Sequence, residues 1–279
     1  MSRNRYPLRR LAAVLGLAVL AGCTGMNTTQ SGAIGVNRTQ YMSSMVPSQA
    51  LEQEANQQYA DILKQAQAKN LLDRDAQQVA RVRAISQRLI AQAGVFRPDA
   101  SGWKWEVHVL TSDEINAWCM PGGKIAVYTG LINKIKPSDD ELAAVLGHEI
   151  SHALREHARE RVSQQMATNL GLQVLSIATG SSAASDLGGQ LTSVMFTLPN
   201  SRPHETEADR MGVELAARAG FDPRAAVTLW QKMGAADSGN APPEILSTHP
   251  SAASRITDLQ AAAQQVLPLY EQSKGRAAR

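Results

Sequence analysis

His148-Glu149-Ile150-Ser151-His152 reads H-E-x-x-H. On a helix, positions i and i+4 lie one above the other on the same face, so both imidazoles can reach one metal ion. For zinc the nitrogen–metal bonds are about 2.0–2.1 Å. Glu149 follows the first histidine directly, where its carboxylate can reach a water activated at that ion. The pattern implies metal-assisted hydrolysis, and it needs a further ligand from elsewhere in the chain.

The surroundings support a helix here. Ser138 and Glu141 form an S-x-x-E capping box, and Asp139 and Asp140 complement the positive end of the helix dipole. Leu142, Val145, Leu146, Ile150 and Leu154 make an apolar stripe beside the 148/152 face. The histidines are therefore expected at the core boundary, on a helix running to about Ala167. Upstream, two helices are expected over 48–70 and 73–93, the second ended by Gly94. Trp103 to Leu110 alternates as a half-buried strand with His108 on its polar side, which reads as a solvated histidine. Pro121-Gly122-Gly123 is a tight turn between two short strands. The strand after Gly122 and Gly123 is expected to offer a free edge where an extended substrate adds by backbone hydrogen bonds. Cys119 reads as a buried, inert thiol. Downstream, residues 168–198 carry Asp186 as their only charge and read as two buried helices with a joint, the alternative being a mobile lid over the cleft or a surface that touches membrane or an unfolded client. Helices follow over 203–219, 222–234 and from Ser251 to about Val266. The fold class is α+β, mainly α, with a small sheet or hairpin beside the metal-binding helix.

A metzincin needs glycine and histidine at positions where Arg155 and Ala158 stand, so that class is excluded. The alternative is a carboxylate on a later helix. Glu205 and Glu207 are the candidates, with His204 as an outsider. Glu205 and Asp209 share a face with Gly212 and Ala216, small residues that permit close helix packing, while Glu207 points away from that face. Asp209 is suited to accept a hydrogen bond from a ligand histidine.

Together these motifs resemble the CAAX prenyl protease type of peptidase, with its HtpX-like and BepA-like bacterial members. Asn116 to Gly123 resembles the N-A-[FW]-x-x-P-G-G segment of that type. Ser201 to Asp209 resembles its S-R-x-x-E-x-E-A-D block, and Ser247 to Ser251 with Arg255-Ile256 resembles its T-H-P-S…R-I block. The resemblance implies a zincin-like (gluzincin) core and one Zn2+ per chain held by His148, His152 and Glu205. It implies Glu149 as general base, Asp209 and Arg255 as supporting groups, and His249 near the metal. His249 would serve as an inhibitory fourth ligand or as an oxyanion donor. His157 reads as a surface histidine. The implied activity is endopeptidase action on misfolded or misassembled envelope polypeptides; a chaperone-like assembly lipoprotein with latent proteolysis is the alternative.

The chain has 279 residues and is 43% hydrophobic, enough for one good core. Arg3, Arg5, Arg9 and Arg10 precede the apolar run Leu11–Ala21, which is too short to span a bilayer and fits a secretory leader. Leu20-Ala21-Gly22-Cys23 resembles the bacterial lipobox. The expected organisation is a signal peptide over 1–22, a lipid-anchored tether over 23–47, a single domain over 48–270 and a loose tail over 271–279. Cys23 would carry the acyl chains, and Thr24 at the next position looks like delivery to the outer membrane, facing the periplasm. Without the basic leader the chain is close to neutral, which leaves no nucleic-acid footprint.

Overall fold

The structure, a computed structural model, describes residues 23–177, 187–236, 243–249 and 253–277. The readings placed on the leader, on Asp186 and on Ser251 lie outside the described residues. Near the N-terminus, β1 (Cys23–Met26) pairs antiparallel with β2 (Gln40–Ser43). Helices α1 (Ser48–Ala68) and α2 (Ala76–Ala93) follow. Then come β3 (Glu106–Leu110), β4 (Ala117–Met120) and β5 (Lys124–Tyr128). The remaining helices are α3 (Asp139–Leu154), α4 (His157–Ile177), α5 (Leu187–Phe196) and α6 (Arg202–Arg218). Last are α7 (Ala225–Ala236), the short α8 (Glu244–Thr248) and α9 (Ala253–Ala277). No helix among the described residues is long and apolar enough to cross a membrane.

Helix α3 is the centre of the molecule. Both halves of its capping box form: Ser138 Oγ accepts from the Glu141 amide at 3.2 Å, and Glu141 accepts from the Ser138 amide at 2.8 Å. Every residue from Glu141 to Leu154 is buried. The apolar stripe understates this, because Ala143, Ala144, Gly147 and Ser151 on the other faces are small enough to be covered as well. The helix also ends earlier than periodicity suggests. Glu156 adopts a left-handed φ of +50°, and its carboxylate is held by Arg97 at 2.7 Å, Arg159 at 2.9 Å and Ser48 at 2.9 Å. Helix α4 therefore starts in a new direction at His157.

The main sheet has the order β3-β5-β4, with β3 parallel and β4 antiparallel to β5. The Pro121-Gly122-Gly123 hairpin forms, with Gly122 and Gly123 at φ +78° and +84°. The strand that follows it is the middle strand, buried on both faces. The free edge expected there belongs instead to β4, before the turn. Tyr128 N donates to Asn116 O at 3.0 Å, so alternate residues of β4 pair with β5 and the backbone of Cys119 points the other way. One face of the sheet carries Ile125 and Val127 onto α3, and the other carries Ala126 and Leu110 onto α1, α4 and α5.

Residues 24–47, expected as a free tether, are folded onto the domain. Ile34, Val36, Met42 and Val46 are buried at 6%, 4%, 0% and 0% exposure. The segment lacks a helical or strand period, yet most of its few apolar side chains are used, Tyr41 and Met45 alone among its large ones being exposed. Its polar anchor is Glu214, fully buried, which accepts from the amides of Ala33 (3.0 Å) and Ile34 (2.8 Å) and pairs with Arg218. Glu214→Ala strands two amides and a guanidinium, and the expected stability loss is roughly 2–5 kcal/mol. Urea unfolding measures it; a loss below about 1 kcal/mol contradicts this anchoring. Residues 271–277 of the tail expected to be loose are helical: α9 continues through Pro268 to Ala277, and Ser273 donates to Ala217 O at 3.1 Å.

Candidate metal centre

Helices α3 and α6 cross at two glycines. A Cβ on Gly147 would lie 2.8 Å from the Gly212 carbonyl oxygen, and one on Gly212 would lie 2.7 Å from the His148 amide. Backbone contact at this point lets side chains within two turns of it on each helix converge. α3 contributes His148, Glu149 and His152; α6, capped by Ser201, contributes Glu205 and Asp209. The residue after α8 contributes His249, and the first turn of α9 contributes Arg255.

His148, His152, Glu205 and His249 are all buried, and one ligand atom from each lies within 4.8 Å of the others. The separations are 3.1 Å between the two Nε2 atoms of His148 and His152, and 3.2 Å from His148 Nε2 to His249 Nδ1. Glu205 stands 3.5 Å from His148, 3.4 Å from His152 and 2.9 Å from His249 Nδ1. A tetrahedron with bonds of about 2.0–2.1 Å has edges of roughly 3.3 Å, so these spacings fit zinc. Glu205 Oε2 is buried without a well-aligned hydrogen bond, with Arg255 Nη1 3.0 Å away. Burial lowers His152 well below the ordinary histidine range, leaving the neutral ring a cation requires. Burial alone would raise Glu205, but His249 and His152 beside it hold its carboxyl well below the carboxylate range. The donor set therefore fits one divalent cation.

Supporting groups stand behind the donors. Asp209 takes His148 Nδ1 at 3.0 Å, and Arg255 grips Asp209 at 2.6 and 2.8 Å. Arg255 also lies 3.0 Å from Glu205 and stacks 3.4 Å above the Trp230 ring. Such partners fix ligand orientation and tautomer. Glu149 is different. Its Oε1 is buried without a hydrogen bond, 3.5 Å from His249 Nε2, and burial raises its carboxyl above the ordinary range, with His249 and His148 offsetting only part of that.

Glu149, His152 and His249 open onto a cleft of about 390 Å³. Asn116 and the Ala117 to Cys119 stretch of β4 form one wall, and Trp118, Tyr128, Val194 and Phe196 give it an apolar corner. Gly122 lines the cleft, whereas Gly123 is covered by the Trp105 ring.

Several sequence readings change. His157 is no surface residue: it is 1% exposed, its Nδ1 lies 2.9 Å from His152 Nδ1, and its Nε2 lies 2.9 Å from Glu207. The break at Glu156 turns it back toward the histidines. His204 takes no place among the donors; it contacts Glu160 at 3.0 Å. Glu207 does face away from Glu205, but into a buried network with Arg38 and Arg155. His108 is half-buried and paired with Asp73 at 2.7 Å. Cys119 is buried, and burial pushes its thiol up. Asn200, which the sequence did not mark, places its side-chain amide 3.3 Å from His249 Nδ1.

Comparison with known proteins agrees with this chemistry. Residues 76–263 match peptidase family M48. The chain is 39% identical over 170 residues to the mitochondrial metalloendopeptidase OMA1 of Arabidopsis thaliana, covering 61% of this chain and 34% of that protein. It is 37% identical over 212 residues to the mitochondrial metalloendopeptidase OMA1 of Bos taurus, with 72% and 40% covered. It is 32% identical over 205 residues to the beta-barrel assembly-enhancing protease of Escherichia coli (strain K12), with 69% and 40% covered. The chain thus spans about a third to two-fifths of the length of these relatives. It belongs to peptidase family M48, and its cluster of His148, His152, Glu205 and His249 offers a site for that family's zinc.

Proposed function

We propose that the chain is an envelope endopeptidase of the CAAX prenyl protease, HtpX and BepA-like type, acting on unfolded or misassembled polypeptides. In this reading His148, His152 and Glu205 hold zinc, which when bound supplies Lewis acidity to water and to the scissile carbonyl. The observation that carries the reading is Glu149: a buried carboxylate whose Oε1 has no hydrogen bond, beside the donor cluster and facing the cleft. Its raised pKa suits a general base that takes the proton of the attacking water and passes it to the leaving amine. The outward backbone of Cys119 on β4 suits an extended substrate, since backbone pairing tolerates many sequences. The apolar corner at Trp118 and Phe196 suits one large side chain.

The leader supports the envelope assignment. A lipobox-like end at Cys23 suits acylation there, anchorage in the outer membrane and exposure to the periplasm. The bacterial relative's name, which speaks of β-barrel assembly, points the same way. Two tests address this. Full-length chain should degrade an unfolded casein-like substrate but leave a folded control intact; the reverse preference contradicts the substrate class. Cys23→Ala should stop incorporation of labelled fatty acid, and unchanged incorporation removes the anchor.

A second reading, chaperone-like assistance with latent proteolysis, is favoured by His249. Its Nδ1 already sits among the donors and its Nε2 faces Glu149, as a resting fourth ligand would. Latency requires His249→Ala to cleave faster than the wild type. Equal or slower cleavage with zinc retained assigns His249 to the working site.

A further inference from the structure

Behind His152 lies a row of side chains that no reading above has used. His152 Nδ1 is 2.9 Å from His157 Nδ1, and His157 Nε2 is 2.9 Å from Glu207 Oε2. Glu207 also receives Arg155 at 3.0 Å and Arg38 at 2.6 Å. Arg38 holds Glu160 with its other nitrogens, at 2.7 and 2.8 Å. His204 is stacked on the His157 ring, 4.4 Å between centroids, and is itself tied to Glu160 at 3.0 Å. Arg38 comes from the segment that precedes the family match, which begins at residue 76, and so do Gln40, which donates to Glu160 at 3.3 Å, and Thr29, which accepts from Arg155 at 3.1 Å.

We propose that His157 and Glu207, clamped by Arg38 of the N-terminal segment, are positioning residues that set the tautomer of the zinc ligand His152. The logic runs from the carboxylate inward. An ionised carboxylate beside two guanidinium groups can only accept, so His157 donates from Nε2 and its Nδ1 keeps a lone pair. That lone pair faces His152 Nδ1, so His152 must donate there. Its Nε2 is then unprotonated, with its lone pair aimed at His148 Nε2 and Glu205. A ligand histidine usually donates directly to a carboxylate or carbonyl; here a second imidazole is interposed, and the carboxylate acts through it. Stacking against His204 fixes the plane of the interposed ring. The N-terminal segment is therefore part of the metal centre as well as a covering for it.

This inference rests on the zinc-site reading, and the test separates the two. Zinc affinity of the full chain is measured by competition with a chromophoric chelator, with the melting temperature of each apoprotein as the folding control. His157→Leu removes the acceptor and is expected to weaken zinc about 10- to 100-fold, the range for loss of such partners. His157→Gln places an amide oxygen where it can accept from His152 and is expected to recover most of the loss. Glu207→Gln keeps the shape but lets the amide donate to His157, allowing the reversed tautomer; it is expected to weaken zinc even where His157→Leu does not fold. Affinities within twofold of wild type in His157→Leu and Glu207→Gln overturn the relay. Equal losses in His157→Leu and His157→Gln, which a packing role gives, overturn it too. A wild-type chain that binds no zinc overturns the metal centre itself.

Discussion

Glu149→Gln is expected to lower peptide cleavage by about 10²- to 10⁴-fold, the usual contribution of a positioned acid–base group. Zinc content should stay at the wild-type level. Glutamine has the same shape, so the buried space on α3 remains filled. The donors His148, His152 and Glu205 make no hydrogen bond to Glu149, whose Oε1 has none at all. Removing its charge therefore leaves the donor cluster intact and removes only the proton acceptor. The buried carboxylate is also a cost to the fold, since its raised pKa reports an unfavourable charged form. Stability near neutral pH should accordingly rise or stay level in the variant. Cleavage of a casein-like substrate at the wild-type rate would show that another group moves the proton.

The second large effect is expected from a single methyl group. Gly212→Ala places a Cβ 2.7 Å from the His148 amide and 2.9 Å from the Gly147 carbonyl carbon. Those atoms belong to the helix backbone and cannot rotate aside, so α6 must move off α3. Overpacking of this kind costs about 1–3 kcal/mol. The same displacement carries Glu205 away from His148 and His152, two turns along α6. Gly212→Ala should thus lose both stability and zinc, although it touches no donor. Calorimetry of the apoprotein and zinc titration measure the two losses separately. Loss of stability with unchanged zinc affinity would mean that the donors do not depend on the helix crossing.

How much of this was legible depended on distance along the chain. His148, Glu149 and His152, the capping box at Ser138 and Glu141, and the Glu205/Asp209 pair are each encoded within one or two helical turns, where periodicity determines which side chains share a face. The small residues at Gly212 and Ala216 hinted at close packing, and Gly212 is where it occurs. His157 could not be placed that way. Extrapolating the α3 period put it off the metal face, and only the left-handed turn at Glu156, held by Arg97 from a distant loop, brings it back. Residues 24–47 carry Gly, Ser and Asn with isolated apolar side chains, so no local period reveals their burial; Glu214 and the Arg38 pairs, far away in sequence, tie them down. Strand order is likewise a non-local property. The hairpin at Gly122 and Gly123 could be read from its turn, but β3 pairing with β5 puts that strand in the middle of the sheet and leaves the edge to β4.

Depressed carboxylate pKa values add a pH dependence away from the donors. Burial by itself would raise Glu160, but hydrogen bonds from Arg38 and His204 hold it far below the ordinary carboxylate range. Its folded pKa lies under its unfolded one, so its contribution is present above about pH 4–5 and is lost as the pH falls through the acid range. Glu160→Gln should flatten the decline in unfolding free energy below pH 5; an unchanged acid slope contradicts this.

The central claim is tested most directly by X-ray absorption at the zinc edge on the purified full chain. The expected result is one zinc per chain, with nitrogen and oxygen neighbours at about 2.0–2.2 Å and no sulfur. Glu205→Ala should lose an oxygen neighbour and most of the bound metal. A chain without zinc that still cleaves in the presence of chelator, or a sulfur neighbour at about 2.3 Å, would contradict a site built by His148, His152 and Glu205.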